Sequence, residues 1–105
     1  MTKNDYLIAK ELKEKLSKEV DLVDFRVFGS RARDDNDEFS DMDVFIEVEQ
    51  LDKKLKKKIR EIIWEIGYEN SIFLSPLIFT RYEIEESPLR ASPIVKNITE
   101  EGVKI

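Results

Sequence analysis

The 105-residue chain contains no cysteine and no histidine. Without cysteine there is no disulfide, no thiolate metal site and no cysteine nucleophile. Without histidine the commonest metal ligand and the usual general base are missing. Any metal must be held by oxygen, which favours Mg²⁺ or Mn²⁺. Glycine and proline are scarce, three of each, which argues against a disordered chain. No run approaches the roughly 20 apolar residues of a membrane span. The opening MTKNDYLIAKELKEKL is charged in every turn, unlike a signal peptide. Positive charge is not in excess either: the net charge of −5 disfavours broad binding to nucleic acid. The expectation is a cytoplasmic protein off the membrane, forming one domain over residues 1–105.

Apolar spacing predicts a helix over residues 3–19, with Ile8, Leu12 and Leu16 on one face and Leu7 beside them. Residues 21–28 (DLVDFRVF) read as a strand, and Ser30 is placed to cap a helical turn ending at Arg33. The polar stretch Asp34–Ser40 reads as a turn. A second strand over 41–49 alternates: Met42, Val44, Ile46 and Val48 share one face, and Asp41, Asp43, Phe45, Glu47 and Glu49 the other. A long helix over 52–69 carries Leu55, Ile59, Ile62, Ile63 and Ile66 as its stripe, with Gly67 weakening its end. The strand over 71–79 contains Pro76, which implies an edge or a bulge. Thr80 with Glu83 fits a capping box, Ser92-Pro93 starts a helix reaching about Glu100, Gly102 can end it, and 103–105 can add a short strand. Strands 1 and 2 should be antiparallel, and strands 2 and 3 parallel through a β-α-β crossover. The fold class is α+β, a small mixed sheet with helices packed on it.

The segment FGSRARDDNDEFSDMDVFIEV (residues 28–48) carries the chemistry. Gly29 lets the backbone approach a ligand closely, and the turn after it can aim N–H groups and the Ser30 hydroxyl at an anion. Arg31 and Arg33 add positive charge at that corner. Ten residues separate the Gly29-Ser30 pair from Asp41, and Asp41 and Asp43 leave one face of a strand with Cβ atoms roughly 6–7 Å apart. Two such carboxylates can clamp a divalent metal for phosphoryl transfer. Either element alone is commonplace, an ordinary turn or a pair of solvated acids. Together they point to a nucleoside triphosphate handled with metal.

Here the sequence resembles the minimal nucleotidyltransferase domain of the DNA polymerase beta superfamily. The family motif is a Gly-Ser pair, a small residue, Arg and usually Gly, followed by Ser-Asp-x-Asp. GSRAR and SDMD match it, and the resemblance extends to the tail ITEEGVKI. It implies that Gly29 and Ser30 bind the triphosphate and that Asp41 and Asp43 ligate metal and serve catalysis. It implies the nucleotidyltransferase fold, Mg²⁺ or Mn²⁺ as cofactor, and ATP or another nucleoside triphosphate as substrate. Minimal domains of this type often act as the antitoxin beside a small helical toxin, and some transfer AMP to a tyrosine of that partner. Two positions depart from the pattern. Asp34 stands where the family usually has Gly. The third family carboxylate has no counterpart: Ser75 is the best positional match on the strand SIFLSPLIF, Glu47 lies about 13 Å along from Asp43, and Glu69 is only a possible substitute.

Three functions follow. The first is transfer of a nucleoside monophosphate to a partner protein. The second is a catalytically weak module that neutralises a helical partner by contact. The third is a small-molecule nucleotidyltransferase of the antibiotic-modifying kind, which the short chain disfavours. The basic run Lys53–Arg60 reads as a solvated helix face, with an acidic partner or the triphosphate tail as the alternative. Trp64 and Tyr68 read as core-edge packing, with a partner interface as the alternative. The expected partners of the chain are a small helical protein and a nucleotide, with a homo-oligomer as a further alternative.

Overall fold

In the computed structural model, which describes residues 1–105, the chain runs α1 (Lys3–Glu19), β1 (Leu22–Phe28), α2 (Gly29–Arg33), β2 (Met42–Val48), α3 (Lys53–Glu69), β3 (Leu74–Thr80), α4 (Arg81–Glu85), a 3-10 turn (Pro88–Ala91), α5 (Pro93–Glu101) and β4 (Val103–Lys104). The strands form one mixed sheet in the order β3-β2-β1-β4. β1 runs antiparallel to both β2 and β4, and β3 parallel to β2. The α+β class and the strand directions agree with the sequence reading, and β3, with Pro76, is an edge strand. No helix is long and apolar enough to cross a membrane.

Side-chain caps fix where the helices begin. Thr2 accepts from the Asp5 N–H at 3.1 Å, and Asp52 accepts from the Leu55 N–H at 2.8 Å. Thr80 and Glu83 form both bonds of the capping box. Ser30 does not cap: it is the second residue of α2, whose N-cap is Phe28 with no side-chain bond. The chain turns into α2 on Gly29 itself, so the helix begins two residues earlier than a serine cap would set it.

The alternation of β2 builds the core. Met42, Val44, Ile46 and Val48 are fully buried on one face, beneath Ile8, Leu12 and Leu16 of α1 and Ile59, Ile62, Ile63 and Ile66 of α3. Burying such a side chain contributes about 1.5–3 kcal/mol, so this helix–sheet contact dominates stability. Leu7 stays outside it and exposed. Trp64 and Tyr68 are not core-edge residues: they point to solvent, 69% and 75% exposed, because they sit on the side of α3 opposite its isoleucine stripe.

The second face of the sheet is partly covered by α4 and α5. Phe45 packs on Phe79 with ring centroids 5.8 Å apart, and α5 buries Val95 and Ile98. Glu47 lies in this layer, only 5% exposed. Burial raises its pKa above the ordinary 4.5, and the neighbouring Asp24 and Glu85 raise it further, against weaker help from Arg81 and Arg26. A folded-state pKa above the unfolded one means that the protonated form favours folding. Stability from this group is therefore present below pH 4.5 and lost as pH rises through the folded value. Glu47→Gln is expected to raise Tm at pH 7, with the gain shrinking to nothing below pH 4.5. Thermal unfolding of both proteins across pH checks it, and an equal shift at all pH values would contradict the electrostatic cause.

Candidate active site

Antiparallel pairing brings the C-terminal end of β1 beside the N-terminal end of β2, with Phe28 opposite Asp43. Gly29 therefore follows β1 directly onto the Asp43 side chain. Its φ is +74°, in the left-handed region that side chains rarely adopt. A Cβ built there would collide with an Asp43 carboxylate oxygen and come within 3.2 Å of its Cγ. The glycine is thus required twice, for its torsion and for its lack of side chain. Ser30 follows, half-buried, and its carbonyl accepts from the Asp34 and Asp35 N–H groups, closing α2.

Asp41 is exposed at the mouth of β2 and Asp43 is half-buried two residues on. Burial raises the Asp43 pKa, and the Asp41 carboxylate raises it further, while Arg33 opposes both. A half-buried acid whose pKa is raised, with a second carboxylate beside it and a glycine-made gap, suits a divalent cation, which would relieve the repulsion. Within reach, the donor set is oxygen only, as Mg²⁺ or Mn²⁺ prefers. No three carboxylates are grouped to hold an ion by themselves.

The two arginines divide. Arg33 is exposed, pairs with Asp35 at 3.0 Å, and bears on Asp43. It also lines a cavity of about 250 Å³ beside Gly29, closed on its far side by Ile94, Asn97 and Glu101 of α5. Arg31 turns inward instead. Its guanidinium is buried, donating from one Nη to Asp5 Oδ1 at 2.9 Å and from Nε to the Ser40 carbonyl at 3.0 Å. Arg31, expected at the anion corner, is placed here as a strut. It ties α1, α2 and the residue before Asp41 together.

Asp34 explains its own departure from the family pattern. It takes the left-handed conformation (φ 62°, ψ 27°) that ends α2, a site where glycine is easiest and aspartate is tolerated. Its carboxylate pairs with the Met1 amine. Ser75 lies opposite Asp43 on β3, so the expected third-acid position does hold serine. Glu47 is far along β2 among Asp24, Glu85 and Arg81, and Glu69 ends α3 in the other layer. Neither substitutes.

The sequence reading missed Asp5. Its signal was present: Asp5 falls three and four residues before Ile8 and Ala9, on the buried stripe of α1, and an acid on such a stripe asks for a partner. The α5 wall of the cavity left no signal, because nothing local in the sequence sets α5 beside Gly29.

A mixed sheet with Gly29 and two aspartates at adjoining strand ends is a nucleotidyltransferase fold. The family profile of the nucleotidyltransferase domain matches residues 8–105, and the chain belongs to that family. No curated protein matches the sequence. Among solved structures, a candidate nucleotidyltransferase from Sulfolobus solfataricus superposes with a TM-score of 0.55 at 19% identity, over 92% of this chain and 75% of that one. A toxin–antitoxin complex with AMP-PNP superposes with a TM-score of 0.57 at 16% identity, over 90% of this chain and 70% of that one.

The Asp5–Arg31 pair is expected to govern the site's stability. Removing one partner of a buried pair costs about 3–5 kcal/mol, whereas replacing both by apolar groups can be neutral. Asp5→Leu alone should lower unfolding free energy by that amount, and adding Arg31→Met should recover most of it. Denaturant unfolding of the singles and the double gives the coupling, and additive losses would contradict a pair.

Proposed function

We propose that the protein transfers a nucleoside monophosphate, AMP from ATP, to a hydroxyl of a partner protein, and acts as the antitoxin of a toxin–antitoxin pair in the cytoplasm. The observation that carries this reading is the Gly29 backbone lying against Asp43, with Ser30 next along the chain and Asp41 near enough to act on Asp43. The toxin–antitoxin complex with AMP-PNP among similar folds supports both the nucleotide and the partner. Membership of the nucleotidyltransferase family supports the reaction class.

In this reading Asp41 and Asp43 present carboxylate oxygens to Mg²⁺ or Mn²⁺. A bound divalent ion there neutralises phosphate charge and lowers the pKa of an oxygen it contacts. Gly29 lets the triphosphate approach the backbone, the Ser30 hydroxyl donates to a phosphate oxygen, and Arg33 supplies positive charge from solvent. The Arg31–Asp5 strut holds the loop to Asp41 in register. The acceptor oxygen bonds to the α-phosphorus, the bond from that phosphorus to the β-bridging oxygen breaks, and pyrophosphate leaves. The acceptor's proton passes to water, since Ser75 offers no base. That absence favours an acidic acceptor. A tyrosine phenol, with a pKa near 10, ionises far more readily than an aliphatic hydroxyl, so a tyrosine of the partner is the acceptor we favour.

A second reading rests on the same serine. With no third acid opposite Asp43, the chain could neutralise its partner by contact alone. The two separate on incubating the protein with ATP, Mg²⁺ and the protein encoded beside it, then weighing that partner. Transfer adds the mass of AMP. Asp41→Asn or Asp43→Asn should slow transfer by more than about 100-fold, the loss seen when even the neighbours of metal ligands are disturbed. Ser75→Asp should speed it by at least about 10-fold, a fraction of what a positioned base contributes. An unmodified partner that is nevertheless neutralised by wild type and by Asp43→Asn alike would favour the contact reading.

A further inference from the structure

The outer side of α3 carries a feature that the transfer reading does not use. Trp64 and Tyr68 stack on each other there, with ring centroids 5.3 Å apart and planes 10° apart. Beside them Phe73 is 80% exposed. These rings line an apolar groove of about 630 Å³ that runs on to Leu74 and Pro76 of β3. Such a cluster on a free surface marks a contact site. Strand addition is not its use, because Pro76 withholds a backbone N–H from that edge.

The charges of α3 indicate what covers it. Residues 53–60 hold Lys53, Lys54, Lys56, Lys57, Lys58 and Arg60 with no acid, while residues 61–69 hold Glu61, Glu65 and Glu69 with no base. This order opposes the helix dipole, which favours acids at the N-terminus and bases at the C-terminus. Helix stability therefore does not account for it. Within the chain only Lys58 and Glu65 find partners, Glu19 and Lys15, each at 3.8 Å. Along the outward stripe, at helical spacing, stand Lys53, Lys57, Arg60, Trp64 and Tyr68.

A second copy of the same helix, laid antiparallel, answers both halves. A two-fold axis passing between Glu61 and Trp64 sets Lys57 and Arg60 of one copy over Trp64, Glu65 and Tyr68 of the other. The flat Trp–Tyr pair offers a guanidinium a face to stack on, and the glutamates offer it countercharge. A parallel arrangement would instead oppose lysine to lysine. The interface is isologous, as a two-fold dimer requires.

We propose that this face is a self-association surface and that the protein forms an antiparallel α3–α3 homodimer. Three aromatic rings per copy bury roughly 150–250 Å² each when fully covered, so the apolar contact falls near or below the 1,200–2,000 Å² of stable complexes. The dimer is accordingly weak and forms at high protein concentration. It is independent of the transfer chemistry, whose residues lie across the sheet.

Sedimentation velocity of the full chain from about 5 to 500 μM, concentrations that bracket a weak dimer, tests it. The mass should rise from 12.4 kDa towards twice that, and the emission of the sole tryptophan, Trp64, should shift to the blue in parallel. Salt at 0.5 M should weaken association several-fold, because charge selects the orientation. The triple variant Lys53→Glu, Lys57→Glu, Arg60→Glu and the double variant Glu61→Lys, Glu65→Lys should each be monomeric, and an equimolar mixture of the two should regain the dimer. Circular dichroism and Tm establish that both variants fold. A wild-type monomer at 500 μM, or folded variants that stay apart when mixed, would overturn the proposal.

Discussion

The close approach of the Gly29 backbone to the Asp43 carboxylate is the constraint on which the candidate site depends. It exists because β1 ends opposite the start of β2, and because the chain turns at φ +74° with no side chain in the way. Any other residue would meet both a backbone penalty and a collision. The rest of the molecule holds this contact in place. The helices α1 and α3 clamp the apolar face of β2, which leaves Asp41 and Asp43 on the opposite side. α5 walls the cavity next to Gly29.

Electrostatics around that contact are divided between holding and doing. Arg31 belongs to the first group: buried with Asp5 and bonded to Ser40, it fixes the loop that delivers Asp41. Arg33 belongs to the second, exposed and near enough to act on Asp43. Asp34 is turned to the amino terminus. The two site acids are left poorly compensated within the chain. Asp43 rests in partial burial next to Asp41 with only Arg33 opposing, a state that a cation would relieve.

Much of this was legible in the sequence, for reasons of periodicity. The period-two pattern of β2 assigned Asp41 and Asp43 to one face and four apolar residues to the other; those four are fully buried, while on the acidic face Asp41 and Asp43 stay accessible and Phe45 and Glu47 are buried as well. The i, i+3, i+4 stripe of α3 was equally plain. The alignment of Ser75 with Asp43 followed from parallel pairing. What was not legible depends on contacts between distant segments. Arg31 looked like Arg33 in sequence, since nothing local shows that one meets a carboxylate 26 residues away. Trp64 looked apolar enough for the core, but its angular position on α3 decides otherwise. Ser30 looked like a cap because caps favour serine, yet the glycine before it had already begun the turn.

Titration of Mn²⁺ by electron paramagnetic resonance, with and without a non-hydrolysable ATP analogue, addresses the central claim without requiring turnover or a partner. Free Mn²⁺ should disappear into the wild-type protein, more tightly with the analogue present. Binding should weaken by more than about 10-fold on Asp43→Asn, with thermal stability kept. Equal Mn²⁺ binding by wild type and by a folded Asp41→Asn, Asp43→Asn double variant would contradict a metal-and-triphosphate site at the Gly29–Asp43 contact.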